Sequence, residues 1–518
     1  MSVRTLVVYV PGLLEKPRQS AALLDKVRQE LGAASTETWV YPSPVRPWTR
    51  GDLQDRCAAF ASTVDGYWKV HDRPERMVLI GHSLGGIMVR YGYLLALGGL
   101  GGSRRDWAAR VTRIVLLAAP NRGLDPQRMK WPLRWLVPLV GWLIAGFSAM
   151  DVRIGSAFMT NLRLEWIRRT PDLAAQKLTV VQVLGGSDRL VEDDDSRDIE
   201  YLRAGVTMDL PPADHGDIMR VGEDVEEDFP GQRWAILREA IIGEVTPVDP
   251  PGPDAASVVF VLHGIRAGND AWVEALAGKL RADATARVVT ASYGRLSAYN
   301  FALPITRRRT LRWFQDQYSY ELAHSPQVPF HFVGHSNGTY VLGQSMRRVR
   351  ALRFDRVYLA GSVLPRSFDW RACRDHQRLG TLVNVCANAD KPVAWLCSML
   401  RGLGMRDVGV GGFAGFDVPP DGTRQIRYLD GGHGAGVADD RLDGIAGYVL
   451  TGATPVPGTL REPSGWFAAM SRAAPYVAWA LVLAVLGTVA YAVLAASLVP
   501  AVVLVAVLLL GYLTLKVV

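Results

Sequence analysis

The chain reads as an α/β protein in which two tandem domains, each a mostly parallel sheet flanked by helices, precede a C-terminal two-helix transmembrane hairpin. Three observations carry that reading. Continuous Val/Ile/Leu runs alternate with amphipathic stretches of helix length, as expected of strands buried on both faces. Five of these runs recur in the same order in the two halves. No charged residue occurs over the 43 positions Ala473–Leu515.

The 518 residues are 49% hydrophobic and 21% charged, which excludes disorder and suits two to four domains of about 150 residues each. The four cysteines (Cys57, Cys373, Cys386, Cys397) show neither paired nor metal-ligand spacing, so free thiols in a reducing compartment are expected. The net charge of +8 is mild and suits a membrane-facing surface; no nucleic acid partner is expected. At the start of the chain Pro11-Gly12 interrupts the apolar run Thr5–Val10, and no small-residue cleavage site follows, unlike a signal peptide.

Two Pro/Gly-rich stretches divide the chain: EVTPVDPPGPDAA at Glu244–Ala256 and TGATPVPGTLREPSG at Thr451–Gly465. The expected organisation is a first domain over 1–243, a linker over 244–256, a second domain over 257–450, a linker over 451–472 and the hairpin over 473–518. The repeat pairs LVVYVPGLL (6–14) with VVFVLHGIR (258–266), and MVLIGHSLGG (77–86) with FHFVGHSNGT (330–339). RIVLLAAPNRG (113–123) pairs with RVYLAGSVLP (356–365), and LTVVQVLGGSDRLV (178–191) with LVNVCANADKPV (382–393). MDLPPADHGDI (208–218) pairs with RYLDGGHGAG (427–436). Gly12 and Gly264 are 252 residues apart and Ser83 and Ser336 are 253 apart, but Asp188 and Asp390 only 202. About 51 residues are therefore extra in the first domain, assigned to a cap at about 121–170. His215 and His433 are 218 apart, so the second domain has 16 more residues ahead of its histidine, including the glycine-rich Gly402–Gly415, read as mobile.

Gly81-His82-Ser83-Leu84-Gly85 and Gly334-His335-Ser336-Asn337-Gly338 both match G-x-S-x-G, each between a strand and a helix-like stretch. A strand-to-helix reversal lifts a serine hydroxyl clear of a sheet, and glycines on either side permit the close approach. A serine attacks only with a base beside it and an acid to orient that base. Of nine histidines, only His215 follows Asp188 in the first half and only His433 follows Asp390 in the second. Both aspartates stand just after a strand-like run; Asp125, Asp369 and the run Asp193–Asp195 are rivals. The order Ser…Asp…His holds in both copies.

On these motifs both domains resemble the α/β-hydrolase superfamily, and the resemblance extends nearly to Leu450. The first, with GHSLGG followed by LLAAPNRG, resembles lipases and GPI-inositol-deacylase-like serine esterases, with Asn121 where their pattern has histidine. The resemblance implies an oxyanion hole made by the N–H of Leu84 or Asn337 and by the early loops at Gly12-Leu13 or Gly264-Ile265. It implies hydrolysis of carboxylic esters through an acyl-enzyme, with no metal or organic cofactor. Thioester cleavage and acyl transfer use the same machinery, and a membrane-tethered scaffold with one or both domains inactive is the reading of another class.

The segment WPLRWLVPLVGWLIAGFSAM (131–150) is read as the cap itself, either dipping Trp135 and Trp142 into a lipid interface or forming a buried helix pair. The uncharged tail is about twice the 20 residues of one span. A turn at Ser497–Pro500 splits it into roughly Pro475–Ala496 and Val499–Leu515. Arg472 and Lys516 flank the pair, which puts both ends, and both domains, on the cytoplasmic side. Arginine clusters (Arg307–Arg309 with Arg312; Arg347, Arg348, Arg350, Arg353, Arg356) are read as anionic-lipid contacts or solvated helix faces. Anchor and cap together favour a lipid or hydrophobic ester as substrate.

Overall fold

In the computed structural model the described residues are 4–13, 15–16, 18–42, 52–124, 151–185, 205–211, 213–221, 231–245, 255–264, 271–283, 285–290, 301 and 304–494. Asp188, Ile265, the rivals Asp125 and Asp193–Asp195, the tryptophans Trp135 and Trp142 and the second membrane span lie outside them. The chain divides into two units, residues 1–252 with 319–327 and residues 253–318 with 328–518.

The first unit is built on β1 (Thr5–Val10), β2 (Thr36–Val40), β3 (Arg76–His82), β4 (Val111–Leu117), β5 (Thr179–Gly185) and β6 (Gly205–Leu210), all parallel, in the order β2-β1-β3-β4-β5-β6. Its helices are α1 (Arg18–Glu30), α2 (Leu53–Val70), α3 (Leu84–Ala96), α4 (Ala157–Ala175) and α5 (Gln232–Ile241). Strand periodicity sorts the core into two layers. Leu6, Val8 and Val10 pack with α2, α3 and α4, whereas Val7 and Tyr9 pack with α1 and α5. Full burial of each such side chain stabilises the fold by about 1.5–3 kcal/mol.

The second unit repeats the order as β8-β7-β9-β10-β11-β12, again all parallel. Its strands are β7 (Ser257–Leu262), β8 (Ala286–Val289), β9 (Phe330–His335), β10 (Phe354–Ala360), β11 (Leu379–Ala387) and β12 (Thr423–Leu429). Its helices are α6 (Ala271–Arg281), α7 (Pro304–His324), α8 (Asn337–Arg348), α9 (Trp370–Asp375), α10 (Ser398–Gly402), α11 (Gly411–Ala414), α12 (Leu442–Thr451) and α13 (Gly465–Leu494). The duplication reaches single side chains. Arg113 on β4 donates to the carbonyls of Glu239 and Ala240 at the end of α5, and Arg356 on β10 donates to Val449 and Leu450 at the end of α12. Each guanidinium thus satisfies last-turn carbonyls that have no partner within the helix.

Several expectations are corrected here. Residues 157–170 of the presumed cap belong to α4, the crossover helix between β4 and β5. Leu162 and Trp166 sit in the core, and Phe158 stacks on Tyr91 at 4.7 Å. The C-terminal part of Gly402–Gly415 is packed: Gly411, Gly412 and Phe413 are buried, and a Cβ on Gly412 would collide with Ser362 N, so only glycine admits that approach. Of the arginine clusters, Arg356 points inward as described, and Arg307 is buried against Asp407 (3.3 Å) beside Tyr340. The C-terminal helix starts at Gly465, inside the expected linker, because Phe467, Ser471, Ala474 and Ala478 form a stripe that the domain buries. Among the described residues one helix is long and apolar enough to cross a membrane, over Gly465–Tyr491.

All four cysteines are buried free thiols. Burial pushes them up, Cys386 to about 12 and Cys57 and Cys397 well above the ordinary thiol range.

Candidate active site

The central strands β3 and β9 pass into α3 and α8 through a single serine each. Both serines lie at positive φ: Ser83 at φ 50°, ψ −119° and Ser336 at φ 54°, ψ −118°. A side chain held there costs about 1–3 kcal/mol and persists only where its surroundings over-determine it. Here the next strand supplies that restraint. Ser83 N–H donates to Leu117 O at 2.8 Å and Ser336 N–H to Ala360 O at 3.0 Å. A Cβ on Gly85 would lie 2.1 Å from Val10 O, and one on Gly338 2.5 Å from Leu262 O. Glycine at these two places lets each helix N-terminus press against the end of the first strand, where the early loop begins.

In the first unit the loop after β6 brings His215 to Ser83, with Nε2 2.8 Å from Oγ. Both residues are partly exposed. In the second unit Asp390, wholly buried just after β11, places both carboxylate oxygens 3.0 Å from His433 Nδ1. Asp390 Oδ1 also accepts the Val393 N–H at 3.0 Å, which fixes the carboxylate on its turn. Pinned through Nδ1, His433 keeps Nε2 for a proton from the serine side. Among the described residues no hydrogen bond joins Ser336 Oγ to His433; such contacts are often long without substrate and tighten when it binds. The rival Asp369 is spent as the N-cap of α9, accepting the Ala372 N–H at 2.9 Å.

The sequence reading missed what holds the base loops. The histidine inside each G-x-S-x-G reaches back to them: His82 Nε2 lies 2.8 Å from the His215 carbonyl, and His335 Nε2 lies 3.0 Å from the His433 carbonyl. A carbonyl only accepts, so each Nε2 donates. A histidine recurring at one place in both copies was the available signal. The first unit adds Glu15. Its Oε2 lies 2.7 Å from His82 Nδ1 and accepts the Gly12 N–H at 2.7 Å, while Oε1 accepts the Tyr9 hydroxyl at 2.8 Å. One carboxylate therefore ties the early loop to the loop that carries His215. The Gly12 N–H, one of the expected oxyanion donors, is thus committed to Glu15 here, whereas the structure gives Leu13 N–H no such partner among the described hydrogen bonds. In the second unit Gly264 stands in the matching place beside Ser336, with room for a Cβ only 2.9 Å from the serine's own Cβ. Leu84 and Asn337 open their helices, where first-turn amides lack intrahelical acceptors.

Glu15→Gln is expected to lower the turnover attributable to Ser83 by about 10–100-fold with KM nearly unchanged, since the Gln side chain keeps the volume but loosens both loops together. Steady-state kinetics on a Ser336→Ala background measure it, and a fall in turnover matched by a fall in thermal stability would assign Glu15 a purely structural role.

At the 252-residue offset that relates Gly12 to Gly264, the sequence has Ala267 in the position of Glu15. His335 Nδ1 is buried with no hydrogen-bond partner among the described residues. Burial, with repulsion from His433, pushes His335 down to about 3, and burial pushes His331 down to about 4. Both are neutral in the folded protein and take up a proton in the unfolded chain below about 6.5. Their contribution is thus complete above that pH and is lost as pH falls toward 4 and 3, by about 2 kcal/mol each at pH 5. Urea midpoints should drop between pH 7 and pH 5, and the drop should shrink in His331→Leu.

No protein-family model matches the chain, and no curated protein matches it. Solved structures do. A mature lipase from Bacillus licheniformis is 16% identical, covering 42% of this chain and 87% of that one with a TM-score of 0.29. Phospholipase PlaB from Legionella pneumophila in complex with thio-NAD is 19% identical, covering 37% of this chain and 44% of that one with a TM-score of 0.28. A monoacylglycerol lipase from Paleococcus ferrophilus is 16% identical, covering 41% of this chain and 87% of that one with a TM-score of 0.27.

Proposed function

We propose that this chain is a membrane-anchored serine hydrolase with two α/β-hydrolase domains, cleaving carboxylic esters of hydrophobic or lipid substrates through an acyl-enzyme. The observation that carries the reading is the doubled elbow, with a histidine 2.8 Å from Ser83 Oγ in one copy and a histidine–aspartate pair in the other.

Ser83 and Ser336 are the attacking residues. His215 or His433 takes the hydroxyl proton as the Oγ–carbonyl bond forms, then returns it to the departing alcohol as the ester C–O bond breaks. Water, activated by the same histidine, then releases the acid and restores the serine. Asp390 orients His433 and stabilises its imidazolium form; Asp188 takes that role for His215. The developing oxyanion is met by the N–H groups of Leu84 with Leu13, and of Asn337 with Gly264 or Ile265, donors worth about 3–4 kcal/mol each in measured cases. The domain limits are those of the sequence reading, 1–243 and 257–450, with both domains on the cytoplasmic side.

Fluorophosphonate treatment of the detergent-solubilised chain, followed by peptide mapping, tests this. Adducts are expected on Ser83 and Ser336. A folded protein that takes up no adduct at either serine would sink the hydrolase reading.

A further inference from the structure

The C-terminal helix α13 divides into two halves of different character. In the first, Phe467, Ser471, Ala474 and Ala478 are buried at helical spacing against the second unit. The partner is the stretch that follows Asp390: a π-helical turn (Pro392–Cys397), α10 and α11. Ser471 Oγ donates to Ala394 O at 2.8 Å, and Trp479 Nε1 donates to Gly402 O at 3.0 Å. The Phe467 ring lies 5.0 Å from Trp395 and 5.5 Å from Phe413, and Pro475 occupies the space where Gly402 lacks a side chain. In the second half Leu481, Leu483, Leu486 and Tyr491 are each at least 58% exposed, an apolar surface all round. Trp466, Tyr476 and Trp479 stand exposed along the docked half, and Leu403, next to the Gly402 that receives Trp479, is exposed too.

The contact leads straight to the site. Ala394, which receives Ser471, donates its N–H to Asp390 O at 2.9 Å, and Asp390 holds His433 at 3.0 Å. One helical turn separates the anchor from the acid.

We propose that α13 is a working part of the second site: its docked half braces the turn bearing Asp390, and its free half enters a lipid bilayer, so that the segment over residues 392–416 rests at the headgroup surface. The partner surface is the bilayer itself. A helix apolar on every side belongs in a protein core or a bilayer, the described domain covers only about 11% of its most apolar window, and Trp and Tyr at its base match the preference of these residues for the interface. The second site accordingly takes its acyl substrate from the membrane. This last step and the effect of the bracing on Ser336 rest on the hydrolase reading above; the placement does not.

Two arms test it on the full-length chain. In vesicles of phosphatidylcholine carrying a photoreactive headgroup-level probe, lipid adducts are expected on peptides covering 395–403 and 466–479. Adducts confined to 481–494, or absent altogether, overturn the placement. In the second arm, Ala474→Leu wedges the docked face and Phe467→Ala empties it. Each should slow fluorophosphonate labelling of Ser336 by about 10–100-fold, leave Ser83 labelling unchanged and keep the protein floating with vesicles. Equal rates in wild type and variants, or an equal fall at both serines, overturn the bracing. A wild-type chain labelled at neither serine counts against the hydrolase reading instead, and the lipid adducts then decide the placement alone.

Discussion

Replacing Ser83 by alanine is expected to remove about 10⁵–10⁶-fold of the ester turnover carried by the first site, and Ser336→Ala the same from the second. The size follows from the chemistry. Without Oγ there is no acyl-enzyme, and His215 has no proton to take from its partner at 2.8 Å. What remains is the oxyanion hole and binding, which still exceed water by about 10³–10⁴-fold. Neither alanine should disturb the fold, because alanine keeps the Cβ and the backbone N–H that Leu117 O and Ala360 O accept at φ near 50°, so the strain of the turn is left as it was. Measured with a chromogenic short-chain ester, the double variant should lose nearly all turnover. If each single variant keeps half the rate, both sites work. If Ser83→Ala alone abolishes it, the second domain serves another purpose.

Asp390→Asn is the second large expectation. The carboxylate is fully buried, accepts from Val393 N–H and faces His433 Nδ1 with both oxygens. An amide there keeps the shape but presents a donor to Nδ1, which selects the wrong imidazole tautomer. Turnover at the second site should fall by about 10⁴-fold, with substrate affinity little changed. The measurement is kcat and KM on a Ser83→Ala background. A loss below about tenfold would mean that another acid orients His433.

Much of this architecture was legible because its signals are local and repeated. Continuous apolar runs such as MVLI and FHFV announced central strands, and glycines around Ser83 and Ser336 announced the elbows. The edge strands β2 and β8 were not read. TETWV opens with three polar residues, closes with only two apolar ones and is half-buried, so it carries no continuous apolar run. Glu15 escaped notice for a different reason: a lone carboxylate gains meaning only from Tyr9, Gly12 and His82 converging on it in space. The docked stripe of α13 was hidden by its own composition, since alanines that face a domain and alanines that face lipid look alike in sequence.

The burial of every cysteine has a practical meaning for anyone following this molecule spectroscopically. With no thiol at the surface and each one held protonated by its surroundings, maleimide reagents meet no background target on the folded chain. A single cysteine introduced at an exposed position such as Val70 or Val418 therefore becomes a unique attachment point for a fluorophore or spin label, without first engineering the native sulfurs away. With one such cysteine in each unit, Val70 and Val418 both replaced, electron paramagnetic or fluorescence distances between the two labels would then reveal how two copies of one fold are arranged along a single chain.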